Sequence, residues 1–228
     1  MLILSLDTTT RTGSCALLRD DRVLREQGSD PGRDQAERLP AALAAILDAE
    51  AVALADIDAF AVATGPGSFT GLRVGIATMQ GLAMATGKPL IGVRAFDALA
   101  TIADSGRSGA AHQRIAAWID AWRGEVFAAL YEDGREVEAP TVARPEALLA
   151  TLPRGAVFIG DGAARYQADI RAALGSAAAF TDPVAPLLAG AVARHAADAF
   201  RAGQRPPPHA IRPIYVRRSD AELARDRQ

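Results

Sequence analysis

A chain of 228 residues, half of them apolar, can bury a substantial core as one large domain or two small lobes. Its formal net charge of −2 argues against a general nucleic-acid binder, which carries a basic face that the overall balance usually shows. Cys15 is the only cysteine, so no disulfide framework exists; the opening run "LILSL" lacks the basic start and cleavage site of a signal peptide, and a cytoplasmic protein that does not span a membrane is expected.

Leu2 to Leu6 is a short continuous apolar run, and "SCALLRD" and "RVLREQGS" follow across turn-rich breaks, which predicts a three-strand meander. From Asp34 to Glu50, Leu39, Leu43, Ile46 and Leu47 recur at helical spacing. Asp34 and Glu37 are spaced as a capping box, and Pro40 falls early, where it costs least. A buried strand is expected over Ile57 to Thr64, then a glycine loop, a Gly/Ala-rich helix over Leu72 to Thr86, and a strand at "PLIGVRAF". The polar stretch "ADSGRSGAAHQ" marks a boundary between lobes. A strand ending at Gly160-Asp161-Gly162 leads into a further helix, an Ala-rich helix covers Val184 to Phe200, and "RPPPHAIRPIYVRRSDAE" reads as an extended, proline-stiffened tail. The expected division is 1–103 for an N-terminal lobe, 104–182 for a smaller C-terminal lobe, and 183–228 for a returning helix and tail.

"IAAWIDAWRGEVFAALYEDG" repeats the plan of "LILSLDTTTRTGSCALLRDD": an apolar strand, an Asp at its end, a polar turn with a glycine, and a second apolar strand. Asp7 and Asp120 occupy equivalent places, which suggests two lobes built from one supersecondary unit. In a two-lobed ATPase, such hairpins face one cleft, with the acids orienting a cation or water and the turn's hydroxyl and N–H groups, here around Thr8 and Thr9, facing phosphate. The same Asp and Thr residues also stabilise a turn through their own side chains, and the pattern leaves both readings open. Gly160 and Gly162 are likewise either a nucleotide-side turn or an ordinary one.

The loop "GPGSFTG" matches no familiar glycine motif. A phosphate-binding P-loop needs Gly-Lys-Ser/Thr, and Leu72 follows Gly71 here; a dinucleotide fingerprint wants a glycine where Thr70 stands; a nucleophile elbow wants one where Pro66 stands, before Ser68. Gly65, Gly67 and Ser68 therefore form either a cleft turn or a packing turn that lets the next helix approach the sheet. His112, His195 and His209 have no His or Cys partner at metal-ligand spacing, and surface or packing roles are expected for them. The helix after the loop keeps much of its surface small, which suits either packing within the chain or a face for a partner.

"LSLDTTTRTGSCALL", "GPGSFTGLRVGIATMQGLA", "PLIGVRAFDALA" and "AAWIDAWRGEVFAALY", in this order, closely resemble the bacterial TsaB (YeaZ) family, and "RPIYVRRSDAE" resembles its ending. The resemblance implies an α/β, two-lobed actin/sugar-kinase/Hsp70-ATPase-like fold with duplicated, hairpin-bearing lobes. It also implies a role in forming threonylcarbamoyladenosine beside the anticodon of tRNA. There TsaB binds TsaD, a paralogue that transfers the threonylcarbamoyl group, and the ATPase TsaE joins in a nucleotide-dependent ternary complex. TsaD carries a metal-binding His-x-x-x-His pair where this chain has Ala95 and Leu99, whose apolar side chains cannot ligate a cation. The resemblance thus implies a noncatalytic scaffold with no catalytic residues, no metal and no cofactor, ATP or ADP binding being weak at most; tRNA is reached only through the complex. It places the TsaD contact, or self-association, on first-lobe helices, here Gln35, Leu39, Leu43, Leu72, Gly75, Ile76, Met79 and Ala83. Asp7, Thr8, Thr9, Gly65, Gly67, Ser68, Asp120, Gly160 and Gly162 would line a vestigial nucleotide cleft. The competing expectations are a stand-alone ATPase or kinase and a metallopeptidase.

Overall fold

The computed structural model describes residues 1–28, 35–105 and 114–217. The expected cap at Asp34, His112, most of the boundary segment and the end of the tail lie outside the described residues, as do the side chains of residues 35–38, Gln35 among them.

Two five-stranded sheets share one topology. In the first, β1 (Leu2–Asp7), β2 (Ser14–Arg19) and β3 (Arg22–Gly28) form an antiparallel meander; β4 (Ala59–Gly65) then pairs parallel with β1, and β5 (Leu90–Arg94) with β4, giving the order β3-β2-β1-β4-β5. The second comprises β6 (Arg114–Asp120), β7 (Val126–Glu132), β8 (Arg135–Ala143), β9 (Ala156–Ile159) and β10 (Ala179–Phe180). Read from its meander edge, its order is β8-β7-β6-β9-β10, the same arrangement. The repeat seen in the two Asp-ended hairpins therefore extends to whole sheets. β8, absent from the sequence reading, is entered through Asp133-Gly134, whose φ values of 50° and 72° suit the tight hairpin turn that Asp-Gly favours.

Helices cover both faces of the first sheet, which is why its central strands are apolar on both sides. On one face, α1 (Gln35–Ala49) and α2 (Phe69–Thr86) bury Leu43, Ile46, Ile76 and Met79 against Leu4, Leu6, Phe60 and Val62. On the other, α7 (Ala189–Arg201) packs Val192, Ala193 and Ala196 on Ile3, Leu18, Ala61 and Ile91. α3 (Ala95–Ser105) connects the lobes: Phe96 and Leu99 pack on Ile115, Ala117 and Phe127 of the second sheet, while Ala98 joins the α7 side of the first. The remaining face of the second sheet is covered by α4 (Pro145–Thr151), α5 (Asp161–Arg165) and α6 (Gln167–Leu174), with Trp118 edge-on to Phe158 at 5.2 Å.

Four expectations are corrected. α2 starts at Phe69 and not Leu72, because Ser68 caps it by accepting the Gly71 N–H at 3.1 Å; it ends at Gly87 in the left-handed region. "RAF" does not prolong β5: α3 begins at Ala95, with Phe96, Leu99, Ala100 and Ala103 on its buried face. α7 starts at Ala189, because Pro186 disfavours helical geometry in the residue before it and cannot supply an N–H within a helix. The tail is not wholly extended, since Pro208–Ala210 makes one 3-10 turn.

That tail ties the lobes together. Gln80 Nε2 donates to the carbonyls of Pro208 (2.9 Å) and Ile211 (3.1 Å), and the Ile214 N–H donates to Thr64 O (2.7 Å). Arg217 then reaches the second lobe, donating to Ala121 O (2.9 Å) and pairing with Glu125.

Two glycines allow close approach between elements. A Cβ at Gly67 would lie 2.6 Å from Thr9 Cα, and one at Gly75 would collide with the side chain of Thr8, which is fully buried. Gly67→Ala and Gly75→Ala are expected to lower stability by about 1–3 kcal/mol through overpacking. Gly81→Ala, with no atom within 4 Å of its new methyl, should raise it by about 1 kcal/mol through helix propensity. Urea unfolding midpoints check all three, and an unshifted midpoint for Gly75→Ala would refute the packing role.

Candidate functional site

The hairpin turn after β1 is held by its own side chains. The buried Asp7 carboxylate accepts the Thr9 N–H (2.9 Å), the Thr9 hydroxyl (2.5 Å) and the Thr10 hydroxyl (3.3 Å), while Thr10 Oγ1 accepts the Gly13 N–H (3.2 Å). Burial pushes the Asp7 pKa up, and the Thr9 and Thr10 hydrogen bonds oppose it. The glycine loop rests directly on this turn, with Ser68 N–H donating to Thr9 O (3.0 Å). Thr8 Oγ1, pressed toward Gly75, is the one buried side-chain N or O atom without a partner among the described residues.

The second hairpin turn is built similarly. Asp120 accepts the Trp122 N–H (3.1 Å) and pairs with Arg165 at 2.6 Å. Trp122 and Arg123 both have φ of 56°, in the left-handed region that a bulky side chain seldom adopts. Gly160 and Gly162 let α5 approach β6, since a Cβ at Gly162 would sit 2.8 Å from the Ile119 carbonyl carbon.

Asp161 joins the two turns. Its carboxylate accepts the Asp120 N–H of the second hairpin at 3.0 Å and lies within electrostatic reach of Asp7 in the first. Burial, and then the nearby charges of Asp120 and Asp7, push its pKa up to about 6. The expected cleft residues are therefore brought together, but as a packed and internally hydrogen-bonded seam. Asp7, Thr8, Thr9 and Asp120 are buried, and the hydrogen bonds of the first turn are spent within the chain. Gly65 serves the tail, a Cβ there falling on the Ile214 carbonyl oxygen. The sequence signal for Asp161 was its place between two glycines at a strand end.

Beside the seam lies an open cavity of about 520 Å³, bounded by Gly67, Phe69 and Arg73 of the first lobe, Trp122 and Arg123 of the second, and Tyr215 of the tail. Of the expected cleft residues only Gly67 lines it.

The helix faces need a correction in their residues. Leu39, Leu43, Leu72, Gly75, Ile76, Met79 and Ala83 all turn inward and are buried, because the apolar stripe of each helix is what the sheet covers. The outward face of the same two helices carries Ala41, Ala44, Ala45 and Asp48 of α1, and Ala77, Gly81, Met84 and Ala85 of α2. Ala95 and Leu99 are buried in the second lobe's core. Among the described residues no three His, Cys, Asp or Glu side chains gather as a metal set, and no helix is long and apolar enough to cross a membrane.

Duplicated sheets of this order, each opening on an Asp-ended hairpin at a shared seam, define a two-lobed protein of the actin/sugar-kinase/Hsp70-ATPase-like class. The family model of TsaD, tRNA N6-adenosine threonylcarbamoyltransferase, matches residues 29–224, and the chain belongs to this family, in its TsaB (YeaZ) branch. It is 39% identical over 153 residues to the tRNA threonylcarbamoyladenosine biosynthesis protein TsaB of Escherichia coli (strain K12), a match spanning 64% of each chain. An uncharacterized protein of Mycobacterium tuberculosis is 35% identical across 96% of this chain and 93% of its own length. The structure of YeaZ from Pseudomonas aeruginosa superposes with a TM-score of 0.73 at 30% identity, covering 94% of this chain and 99% of that one.

The Asp161 carboxyl holds its proton to about 6 when folded, against 3.8 for the free side chain. Between those values the folded chain carries the extra proton, so stability falls as pH rises. Asp161→Asn is expected to flatten that fall, which amounts to about 3 kcal/mol, leaving a residual slope from Asp7, whose pKa is raised in the same direction. Urea titrations across this range provide the check, and an unchanged slope would place the proton elsewhere.

Proposed function

We propose that this chain is a noncatalytic scaffold in the formation of threonylcarbamoyladenosine in tRNA, working in the cytoplasm by binding and activating a TsaD-type paralogue. The observation that carries this reading is the outer surface of the α1–α2 layer. Among the described residues it presents Ala41, Ala44 and Ala45 of α1 beside Ala77, Gly81 and Ala85 of α2, with Asp48 as its charged member and one methionine, Met84, that is 67% exposed. Small side chains let another helix approach closely, and an exposed methionine supplies an adaptable apolar contact. Buried Ala95 and Leu99, where the resemblance puts the paralogue's His pair, support the noncatalytic assignment. In this reading the chain carries no cofactor. A TsaE-type ATPase joins the heterodimer in a nucleotide-dependent way, and self-association through the same face is the alternative when the paralogue is absent. No observation favours a stand-alone ATPase or a metallopeptidase above this reading.

Mixing the chain with the TsaD-type paralogue and measuring mass by light scattering tests the proposal. Gly81→Glu and Met84→Glu put charge on open surface and are expected to abolish the heterodimer while leaving circular dichroism unchanged and the melting temperature unlowered. A wild-type chain that stays apart from the paralogue, with or without nucleotide, would sink the scaffold reading. Gly75→Glu is unsuitable for this purpose, because Gly75 packs on Thr8 and the change would report on folding. Complementation of a strain lacking its own TsaB, with the modified nucleoside quantified by mass spectrometry, tests the pathway assignment independently.

A further inference from the structure

The cavity beside the seam plays no part in the α1–α2 surface, and its lining is unusual for a chain of net charge −2. Arg73, Arg123 and Arg217 line it, and among the described residues no carboxylate does. Arg217 is already paired with Glu125, whereas Arg73 has no acidic partner among the described residues. Arg73 is nonetheless fixed in place: its Nε donates to the Tyr215 hydroxyl at 2.9 Å, and its guanidinium lies 3.9 Å from the centre of the Phe69 ring. Among the described residues its two terminal amino groups have no hydrogen-bond partner, which makes them a pre-oriented fork for an oxyanion. The N-terminal turn of α2, at Phe69 and Thr70, adds the positive end of the helix dipole.

The walls supply a second kind of recognition. Five large hydrophobic side chains are exposed among the described residues, and three of them, Phe69 (37%), Ile214 (39%) and Tyr215 (42%), line this one cavity. Trp122 lines it as well, from a backbone conformation that costs energy for a bulky residue. Guanidinium groups beside exposed rings are how proteins hold unpaired nucleotides, the phosphate on the cation and the base on the π-face. An acidic peptide would use the cations and leave the rings idle. We infer that this cavity is a direct contact for an unpaired nucleotide of RNA, its phosphate bound by Arg73 at the start of α2 and its base stacked against Trp122 or Tyr215. A contact of this size is compatible with the chain's acidic balance, because it takes one local patch and not a basic face. The choice of tRNA as the RNA rests on the function proposed above; the chemistry of the cavity does not.

The test is fluorescence anisotropy of a labelled anticodon stem–loop RNA titrated with the full chain at low salt, without the paralogue. Saturable binding is expected. Thr70→Glu places a carboxylate on the exposed first turn of α2, where the helix dipole favours it, so melting temperature should hold or rise while RNA affinity falls about tenfold. Trp122→Gly removes the ring and relaxes the left-handed backbone, and should weaken binding by about tenfold or more through lost stacking. Arg73→Gln should reduce the slope of log affinity against log salt by about 0.7. Absence of saturable binding, or unchanged affinity in both folded Thr70→Glu and Trp122→Gly, would overturn the inference. Complete displacement of the RNA by an equimolar amount of adenosine monophosphate would also overturn it, by assigning the cavity to a free nucleotide. Because the paralogue is left out, a failed heterodimer leaves this result standing, and a negative result here leaves the scaffold reading untouched.

Discussion

The structure depends on one carboxyl group set at the seam between the lobes. Asp161 accepts the Asp120 N–H of the second hairpin and interacts with the charge of Asp7 in the first, so the two halves of the chain meet at this group. The arrangement works against its own electrostatics. Burial and the nearby charges of Asp7 and Asp120 raise its pKa, while the Asp120 N–H lowers it and the Arg165 guanidinium, paired with Asp120, supplies the opposite charge. Everything around the seam limits the room available: Gly67 lies against Thr9, Gly75 against Thr8, and Gly162 against the end of β6.

The closed seam and the open cavity beside it explain why the glycine loop resisted classification by motif. Its glycines serve three contacts: Gly65 admits the tail, Gly67 admits the first hairpin turn, and Gly75, a little further on, admits Thr8. Ser68, which a catalytic reading would treat as a nucleophile, spends its oxygen capping α2. In the two readings proposed above, function lies on two sides of the helix that follows the loop. The outward side is rich in Ala and Gly, and the N-terminal side is cationic and aromatic.

Much of the fold was legible because alternation and periodicity are strong where strands and helices are long. The meander of β1 to β3, the helix at α1 and the paired Asp-ended hairpins all followed from apolar spacing. The missing pieces have physical reasons. The first residues of α3 read as part of β5 because "PLIGVRAF" is apolar but for Arg94, and a short apolar run does not tell a strand from the start of a buried helix. β8 alternates weakly because it is an edge strand with mixed exposure. The site was less legible than the fold. Periodicity identified the apolar stripes of α1 and α2 correctly, but a stripe does not say what covers it, and here the sheet does. Alanine and glycine, which form the outward face, carry too little hydropathy to stand out in a sequence. Arg73, Trp122 and Tyr215 are far apart in the chain, and only the crossing of the tail brings the last of them to the first.

The placement of α7 has a bearing on how the protein is made. One whole face of the first sheet, with Ile3, Leu18, Ala61 and Ile91, is covered by residues that emerge from the ribosome after the entire second lobe. Until they arrive, the N-terminal sheet has α1 and α2 on one side and bare apolar strands on the other. The first lobe to be synthesised is therefore the last to be finished. A nascent chain of this protein must carry an exposed β-surface while the second lobe is made, which makes the late helix as much a guard against premature association as a part of the core.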